Sequence, residues 1–486
     1  MTARRSVVIA KRPAPGEPRP YAFPEFSRTV LDNGLGVISV HLPGRPLVAA
    51  SLVITSGAAD EPDELAGGTV LMARALTEGT ERYDAIELVE ATERLGASLH
   101  AEAGWDSASV SVDVPADRLP AALDLVEEVL ARPTFPAGEV ERLRDERLND
   151  LLQAKADPRR RAEEAFVAAV YAGTSPYRRP AAGTGETVAR LDAETSRSAL
   201  AARFDPARMT LVVGGDLAGL DVAELAAARF GRWGASAASA QQRETDASPA
   251  ATSSRVLVVH RPGSVQTEIR IGHPGVPRRI PEFHAVSVMS AVLGGLFNSR
   301  LNRKLREEKG YTYGAGAGFD PRRAAGPFAA RAAVNTDVTV PAVLEIIAEL
   351  EAIRADVAES ELGEARDYLA GVFPLRFETA GAVVGALSGI VVQGLPDDEL
   401  TRYRPAILAV TRDDALAAAR AHVRPHEAAI VLVGDADAFL PALLAAGIGP
   451  IEVDRDTPPS GSSGSSGSAA PGPGGAKGEA TDGRAG

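Results

Sequence analysis

The sequence lacks one residue type altogether, because none of its 486 residues is cysteine. This absence excludes disulfide scaffolds, thiolate zinc sites, cysteine nucleophiles and iron–sulfur clusters. Histidine is also scarce, and its seven copies are the only soft metal ligands that remain. They are His41, His100, His260, His273, His284, His422 and His426.

Positively charged residues are fewer than negatively charged ones. The chain has 52 Lys and Arg against 65 Asp and Glu, so its formal net charge is −13. A general binder of nucleic acid or of an anionic membrane needs a basic surface, and we expect neither partner. No run approaches the roughly 18 apolar residues of a membrane span. The only early apolar run, Val7–Ala10, is too short for an export signal, so we expect a soluble, cytoplasmic protein.

Stretches of low complexity divide the chain. Residues 235–254 contain no large apolar side chain and are predicted to be a linker. Residues 457–486 are rich in Gly, Ser and Pro and are predicted to be a disordered tail, while residues 1–20 are predicted to be a flexible arm. Two segments of similar length remain, 21–234 and 255–456, and we predict that each is a domain.

These two domains repeat each other. Each ends with a β-branched run, a Gly-Asp turn and a short amphipathic helix. The run and helix are Met209–Asp216 and Val222–Phe230 in the first copy, and Ala429–Asp435 and Phe439–Ala446 in the second. We therefore predict an α+β fold with two homologous duplicated domains, each a mixed or antiparallel sheet packed on helices.

Within the first copy, strands come before long helices. Alternating apolar and polar residues flank the turn signal Asp32-Asn33-Gly34, which favours a hairpin. The predicted strands are Ser27–Leu31, Gly36–His41, Leu47–Ser56, Ser98–Ala103 and Ser107–Val114, and the predicted helices are Gly67–Leu76, Asp84–Leu95, Leu119–Ala131 and Glu139–Ala156.

Several motifs resemble, in order and spacing, those of the pitrilysin/insulinase family of metallopeptidases. The stretch from Gly57 to Thr80 is similar to the zinc-site region of that family. Leu293–Leu301, followed by Leu305–Tyr313, is similar to its C-terminal motif. The resemblance covers about residues 25–455 and implies a half-clamshell of two metalloprotease-like domains. Shorter matches are Leu95–Ala101, Pro176–Pro180, Gly183-Thr184 and Phe204–Pro206.

The zinc motif of that family is H-x-x-E-H on a helix, where two histidines one turn apart bind the metal and the Glu activates water. The resemblance places residues 70–74 in these five positions. Val70 and Arg74 then replace the two histidines, and Ala73 replaces the Glu. The third-ligand position falls near Asp150, where a carboxylate remains. We therefore expect no metal in this chain.

The C-terminal motif, by contrast, is intact. The resemblance implies that Arg306 and Tyr313 reach a peptide bound at the zinc, because a guanidinium and a phenol both donate hydrogen bonds to carbonyl oxygens. Alternation along a strand gives Tyr311 and Tyr313 the same face, so either tyrosine could have this role. Without the resemblance, Arg306 would be expected to pair with a nearby acid such as Glu307 or Glu308, and Tyr313 to pack in a sheet.

Together these features favour the non-zinc-binding subunit of a heteromeric insulinase-like zinc metallopeptidase, similar to the alpha subunit of mitochondrial processing peptidase. Such a chain would be inactive alone. It would supply Arg306 and Tyr313 to the hydrolysis of an extended peptide, while a homologous partner chain with H-x-x-E-H would hold the zinc. Two alternatives stay open: a non-catalytic structural subunit, and a homodimeric protein that binds extended peptides at a sheet edge.

Overall fold

The computed structural model describes residues 19–239, 244–250 and 256–455. In this part of the chain the strands form two six-stranded sheets. The first sheet contains β1 (Ser27–Val30), β2 (Gly36–His41), β3 (Leu47–Ile54), β4 (Ser98–Ala103), β5 (Ala108–Pro115) and β6 (Met209–Gly215). The second contains β7 (Val256–His260), β8 (Gln266–Pro274), β9 (Ala315–Phe319), β10 (Pro327–Asn335), β11 (Ala429–Gly434) and β12 (Ile451–Asp454).

Helices fill the connections between these strands. The first half contains α1 (Gly68–Ala75), α2 (Ala85–Arg94), α3 (Leu119–Ala131), α4 (Ala137–Ala156), α5 (Pro158–Val170), α6 (Gly185–Val188), α7 (Ala193–Ala201) and α8 (Val222–Phe230). The second half contains α9 (Phe283–Ser290), α10 (Arg300–Asn302), α11 (Thr339–Ala355), α12 (Glu359–Val372), α13 (Ala380–Gln393), α14 (Glu399–Ala409), α15 (Arg412–His422) and α16 (Ala436–Ala446). Two π-helical turns cover Ala291–Gly295 and Arg303–Glu308. Short 3₁₀ turns cover Ala58–Asp60, Asp63–Leu65, Ala116–Arg118, Pro176–Arg178, Pro206–Arg208, Thr336–Val338, Phe373–Phe377 and Pro425–Glu427.

Five strands of each sheet share one topology, which confirms the predicted α+β fold of two duplicated units. Their orders are β1-β2-β6-β3-β5-β4 and β12-β7-β11-β8-β10-β9. In each sheet one parallel pair, β2 with β6 or β7 with β11, is followed by three antiparallel neighbours. The outermost strands differ, because β1 is antiparallel to β2 whereas β12 is parallel to β7.

The repeat extends to individual side chains at the Gly-Asp turns. In the first half, the backbone N–H of Leu217 donates a hydrogen bond to His41 Nδ1 over 3.0 Å. In the second half, the N–H of Ala436 donates to His260 Nδ1 over 3.1 Å. Each imidazole lies at the end of one strand. It accepts its hydrogen bond from the segment that directly follows the neighbouring parallel strand.

The two halves exchange a helix. α5, from the first half, packs on the second sheet, where Phe166 and Val431 belong to the same buried cluster. α13, from the second half, packs on the first sheet, where Leu387 lies in a cluster with Val212. Central strands such as β6 are consequently buried on both faces, which explains why their sequences are continuous apolar runs rather than alternating ones.

The predicted tail and residues 1–18 of the predicted arm lie outside the described residues. Two parts of the predicted linker, 235–239 and 244–250, are described. The second part lies against the first half: Ala172 N–H donates to the Ser248 carbonyl over 3.0 Å and Thr174 Oγ1 to Asp246 Oδ2 over 2.6 Å.

Within the described ranges, no single helix has both the length and the apolar composition needed to cross a bilayer. The pair Glu359–Phe377 and Ala380–Gln393, bent by 114°, meets that test only when taken together.

Candidate functional site

Residues 70–74, which the resemblance places at the zinc motif, lie on α1, and a buried carboxylate holds the first turn of this helix. Glu61 accepts hydrogen bonds from the N–H groups of Gly67 (2.7 Å) and Thr69 (3.0 Å) and from the Thr69 hydroxyl (2.7 Å). A negative charge at a helix N-terminus is favourable because the free N–H groups there point toward it. Burial nevertheless raises the pKa of Glu61, and the Arg179 guanidinium, 3.3 Å away, compensates its charge.

The side chains of α1 at the motif positions are not metal ligands. Ala73 is fully buried, Val70 is half-buried and Arg74 is exposed. Arg74 Nη2 lies 2.9 Å from Glu146 Oε2 on α4. The hydrogen bonds from Arg74 and Arg142 lower the pKa of Glu146, so this carboxylate stays ionised and paired. These residues do not fit a zinc ion, since two of the positions are hydrocarbon and the third is a cation.

The carboxylate predicted at the third-ligand position has a different partner. Asp150, on α4, receives a bidentate pair from Arg160, with Nη1–Oδ1 at 2.7 Å and Nη2–Oδ2 at 2.9 Å. Arg147 also contacts Asp150, and Arg160 is the main cause of the lowered pKa of its carboxyl. Glu146 lies four residues before Asp150 and is the carboxylate that contacts α1. Sequence reasoning missed Glu146, although i, i+4 spacing places both carboxylates on one helix face.

One other group of side chains in the described part of the chain has the spacing of a metal site, namely His260, Asp435 and Asp437. Each of these three side chains already has a protein partner. His260 Nδ1 accepts a backbone N–H, Asp435 Oδ2 accepts the N–H of Gly263 over 2.9 Å, and Asp437 pairs with Arg455 over 2.7 Å. The first half has a similar arrangement around His41, so we interpret this group as a structural element of the repeat.

Arg306 and Tyr313 lie on one surface segment of the second half. Arg306 is on the π-helical turn, and its guanidinium carbon lies 4.5 Å from the ring centre of Phe297, which is itself 69% exposed. Its nearest carboxylate among the described residues is Glu307, at 3.4 Å from Nε. Tyr313 is 94% exposed. The segment therefore presents a cation and aromatic groups to solvent.

The structure separates the two tyrosines that the sequence could not. Tyr311 is half-buried against the core of the second half, whereas Tyr313 points to solvent. The expected alternation does not apply because β9 begins only at Ala315. Before it, the Thr312 hydroxyl contacts the carbonyl oxygens of Ala333 (2.7 Å) and Gly314 (2.9 Å) and holds a turn.

Two family models match the chain. The model described as "Insulinase (Peptidase family M16)" matches residues 36–185, and the model described as "Peptidase M16 inactive domain" matches residues 190–369. The first range contains α1 and α4, and the second contains Arg306 and Tyr313.

The relatives that are similar to this chain include proteins named zinc proteases and a protein named a non-peptidase homolog. An uncharacterised zinc protease of Mycobacterium tuberculosis is 26% identical over 386 residues, which is 79% of this chain and 83% of that protein. An uncharacterised zinc protease of Streptomyces coelicolor is 26% identical over 407 residues, covering 81% and 86%. The non-peptidase homolog YmxG of Helicobacter pylori is 25% identical over 336 residues, covering 67% and 74%.

Solved structures share the fold. A peptidase M16 inactive domain from Pseudomonas fluorescens superposes with a TM-score of 0.77 at 24% identity and covers 84% of this chain and 98% of its own. A protease from Helicobacter pylori has a TM-score of 0.77 at 19% identity, covering 85% and 100%. With the two family models together spanning more than half of its length, this chain belongs to the M16 (pitrilysin/insulinase) peptidase family.

Proposed function

We propose that this protein is the non-zinc-binding subunit of a two-chain M16 peptidase and that it holds an extended peptide for a homologous partner with H-x-x-E-H. The observation that carries the proposal is the contrast between two sites. At the zinc motif, Arg74 is paired with Glu146 and no ligand side chain is present. At the C-terminal motif, Arg306 and Tyr313 are accessible.

The proposed role of this chain is positioning and polarisation of the peptide. Arg306 offers N–H donors in a fixed plane and Tyr313 offers one O–H donor, and both suit peptide carbonyl oxygens. A donor aimed at the oxygen that gains charge stabilises the transition state of hydrolysis. The partner chain would supply the zinc and the activated water.

The test is a peptide hydrolysis assay on a mixture of this chain with an H-x-x-E-H homologue, ideally one encoded in an adjacent reading frame. We expect Arg306→Ala and Tyr313→Phe each to lower kcat/KM by about tenfold or more, because a hydrogen bond to a charged group contributes about 1.5–3 kcal/mol. Matched controls are Arg190→Ala, an exposed arginine paired with Glu186 in the first half, and Tyr368→Phe, a tyrosine that is 53% exposed on α12.

Each alternative has its own outcome in this assay. Full activity with both residues replaced would refute the substrate role and favour a structural subunit. A stable homodimer that binds peptide but does not respond to the H-x-x-E-H chain would favour the stand-alone peptide binder.

A further inference from the structure

A cleft of about 510 Å³ lies on the second sheet, on the face that carries α5. Its walls come from β8, β9, β10 and the first turn of α5. Charged side chains in the wall are Arg159 on α5, Glu268 and Arg270 on β8, and Arg331 on β10. In a chain whose net charge is −13, a cleft lined by three arginines and one glutamate is a local reversal of charge.

Two of these arginines are direct cross-strand neighbours. Arg331 on β10 pairs in register with Arg270 on β8. Like charges in directly opposite positions of a sheet are destabilising, so the pair needs compensation. Most of the compensating negative charge contacts Arg270, which is 2% exposed. Its Nε donates to Glu163 Oε1 over 2.9 Å and its Nη1 donates to Glu268 Oε2 over 2.8 Å.

Arg331 and Arg159 have fewer carboxylate contacts than Arg270. Arg331 Nε lies 3.5 Å from the Glu163 oxygen that already serves Arg270, and the Arg331 side chain is half exposed. Arg159 is exposed and has no ion pair of 4.0 Å or less with any residue that the structure describes. In the run Arg159-Arg160-Arg161, the second and third arginines have partners elsewhere. Arg160 forms an ion pair with Asp150, and Arg161 forms one with Asp454. Arg159 and Arg331 are left to face the cleft.

The floor beside Arg331 has no large side chains. The cleft is lined by Gly314, which directly precedes β9, and by Gly316 and Gly318 on β9, while Ala317 belongs to the buried core. Arg331 pairs in register with Gly316, so no side chain stands opposite Arg331 on β9. On this side the cleft wall consists of backbone and small side chains, including the carbonyl of Gly294 beside Gly316.

We propose that this cleft binds a carboxylate of the peptide, either an Asp or Glu side chain or a free C-terminus, through Arg331 and Arg159. Arginine suits this task because its planar donors match the two oxygens of a carboxylate. The inference rests on the proposed function, because Tyr313 directly precedes Gly314 in the cleft wall. A peptide that contacts Tyr313 can thus continue along β9 to the arginines.

The experiment measures binding of fluorescein-labelled peptides of about ten residues to the purified chain alone, by anisotropy. Four probes share one sequence: a central Glu or Gln, each with a free or an amidated C-terminus. We expect the favoured carboxylate to strengthen binding by about tenfold, and we expect Arg331→Gln and Arg159→Gln to remove that gain. Arg190→Gln serves as the control, since that arginine lies on the surface of the first half and pairs with Glu186.

Combining a substitution in the protein with a change in the probe shows whether the arginine contacts that carboxylate. The Arg331→Gln chain should bind the Glu and Gln probes equally, or the free and amidated probes equally, depending on which carboxylate is recognised. Equal binding of all four probes by the unsubstituted chain, or no binding of any, would overturn the proposal. A carboxylate preference that survives Arg306→Ala and Tyr313→Phe at unchanged affinity would support the cleft while refuting the proposed role of those two residues.

Discussion

The buried imidazole of His273 makes the stability of this protein depend on pH in a predictable direction. His273 is 1% exposed and stacks on Phe328. Its Nδ1 lies 2.8 Å from the Pro274 carbonyl, and its Nε2 accepts the N–H of Arg424 over 2.9 Å. These contacts require the neutral ring with its proton on Nδ1, because a charged ring could not accept the N–H of Arg424. Burial lowers the pKa of His273 to about 4.

The sign and size of the effect follow from this pKa. In the unfolded chain the imidazole takes up its proton near pH 6.5, whereas in the folded chain it does so only near pH 4. The unfolded state therefore binds more protons between these values, and stability falls as the pH is lowered through that window. Each pH unit corresponds to about 1.4 kcal/mol, so the loss between about pH 7.5 and 4.5 reaches about 2.5 kcal/mol.

Urea unfolding followed by circular dichroism measures this loss. His273→Gln should be less stable at neutral pH, because its side chain cannot replace the stacked ring. The change in its unfolding free energy between the two pH values should be smaller than that of the unsubstituted chain by about 2.5 kcal/mol. A control, His426→Gln, alters an imidazole that is 83% exposed and leaves His273 in place. Equal pH dependence in the His273→Gln and unsubstituted chains would refute the reasoning.

Two further predictions concern the family motifs. Arg74→Ala removes the ion pair with Glu146, but both side chains are more than 40% exposed, so we expect a change of about 0.5 kcal/mol or less in the free energy of unfolding, similar to Arg94→Ala on α2. A loss above about 2 kcal/mol would mean that the pair holds α1 in place. Gly294→Ala should cost about 2 kcal/mol or more, because its Cβ would lie 2.0 Å from the backbone nitrogen of Ala317. Unchanged thermal unfolding of that variant would show that the two segments do not pack so closely.

Local patterns gave much of the fold in advance. The predicted strand Gly36–His41 and helix Leu119–Ala131 are confirmed with the predicted bounds, and β3 ends at Ile54, two residues before the predicted end. Strand alternation, hairpin turns and helical periodicity are properties of short segments, so a sequence reports them directly. The repeat was also visible, because both halves keep the Gly-Asp turn.

The same local patterns do not identify contacts between segments that are distant in the sequence. The exchange of α5 and α13 between the halves depends on which apolar face meets which sheet, and hydrophobic periodicity does not identify the partner. In the same way, the family resemblance placed the third-ligand position near Asp150, whereas the carboxylate that contacts Arg74 is Glu146. The run Arg159-Arg160-Arg161 likewise does not reveal its contacts, which are with Asp150, Asp454 and the cleft of the second sheet. Each of these outcomes depends on residues in a different helix or strand.

The claim that the chemistry at the zinc belongs to another chain has a direct test in peptide hydrolysis by separate and mixed chains, with the zinc content of each chain measured in parallel. We predict that this chain alone carries far less than one zinc and cleaves no peptide, and that activity appears on mixing with the H-x-x-E-H homologue. One zinc per chain together with peptide hydrolysis by this chain alone would contradict the account.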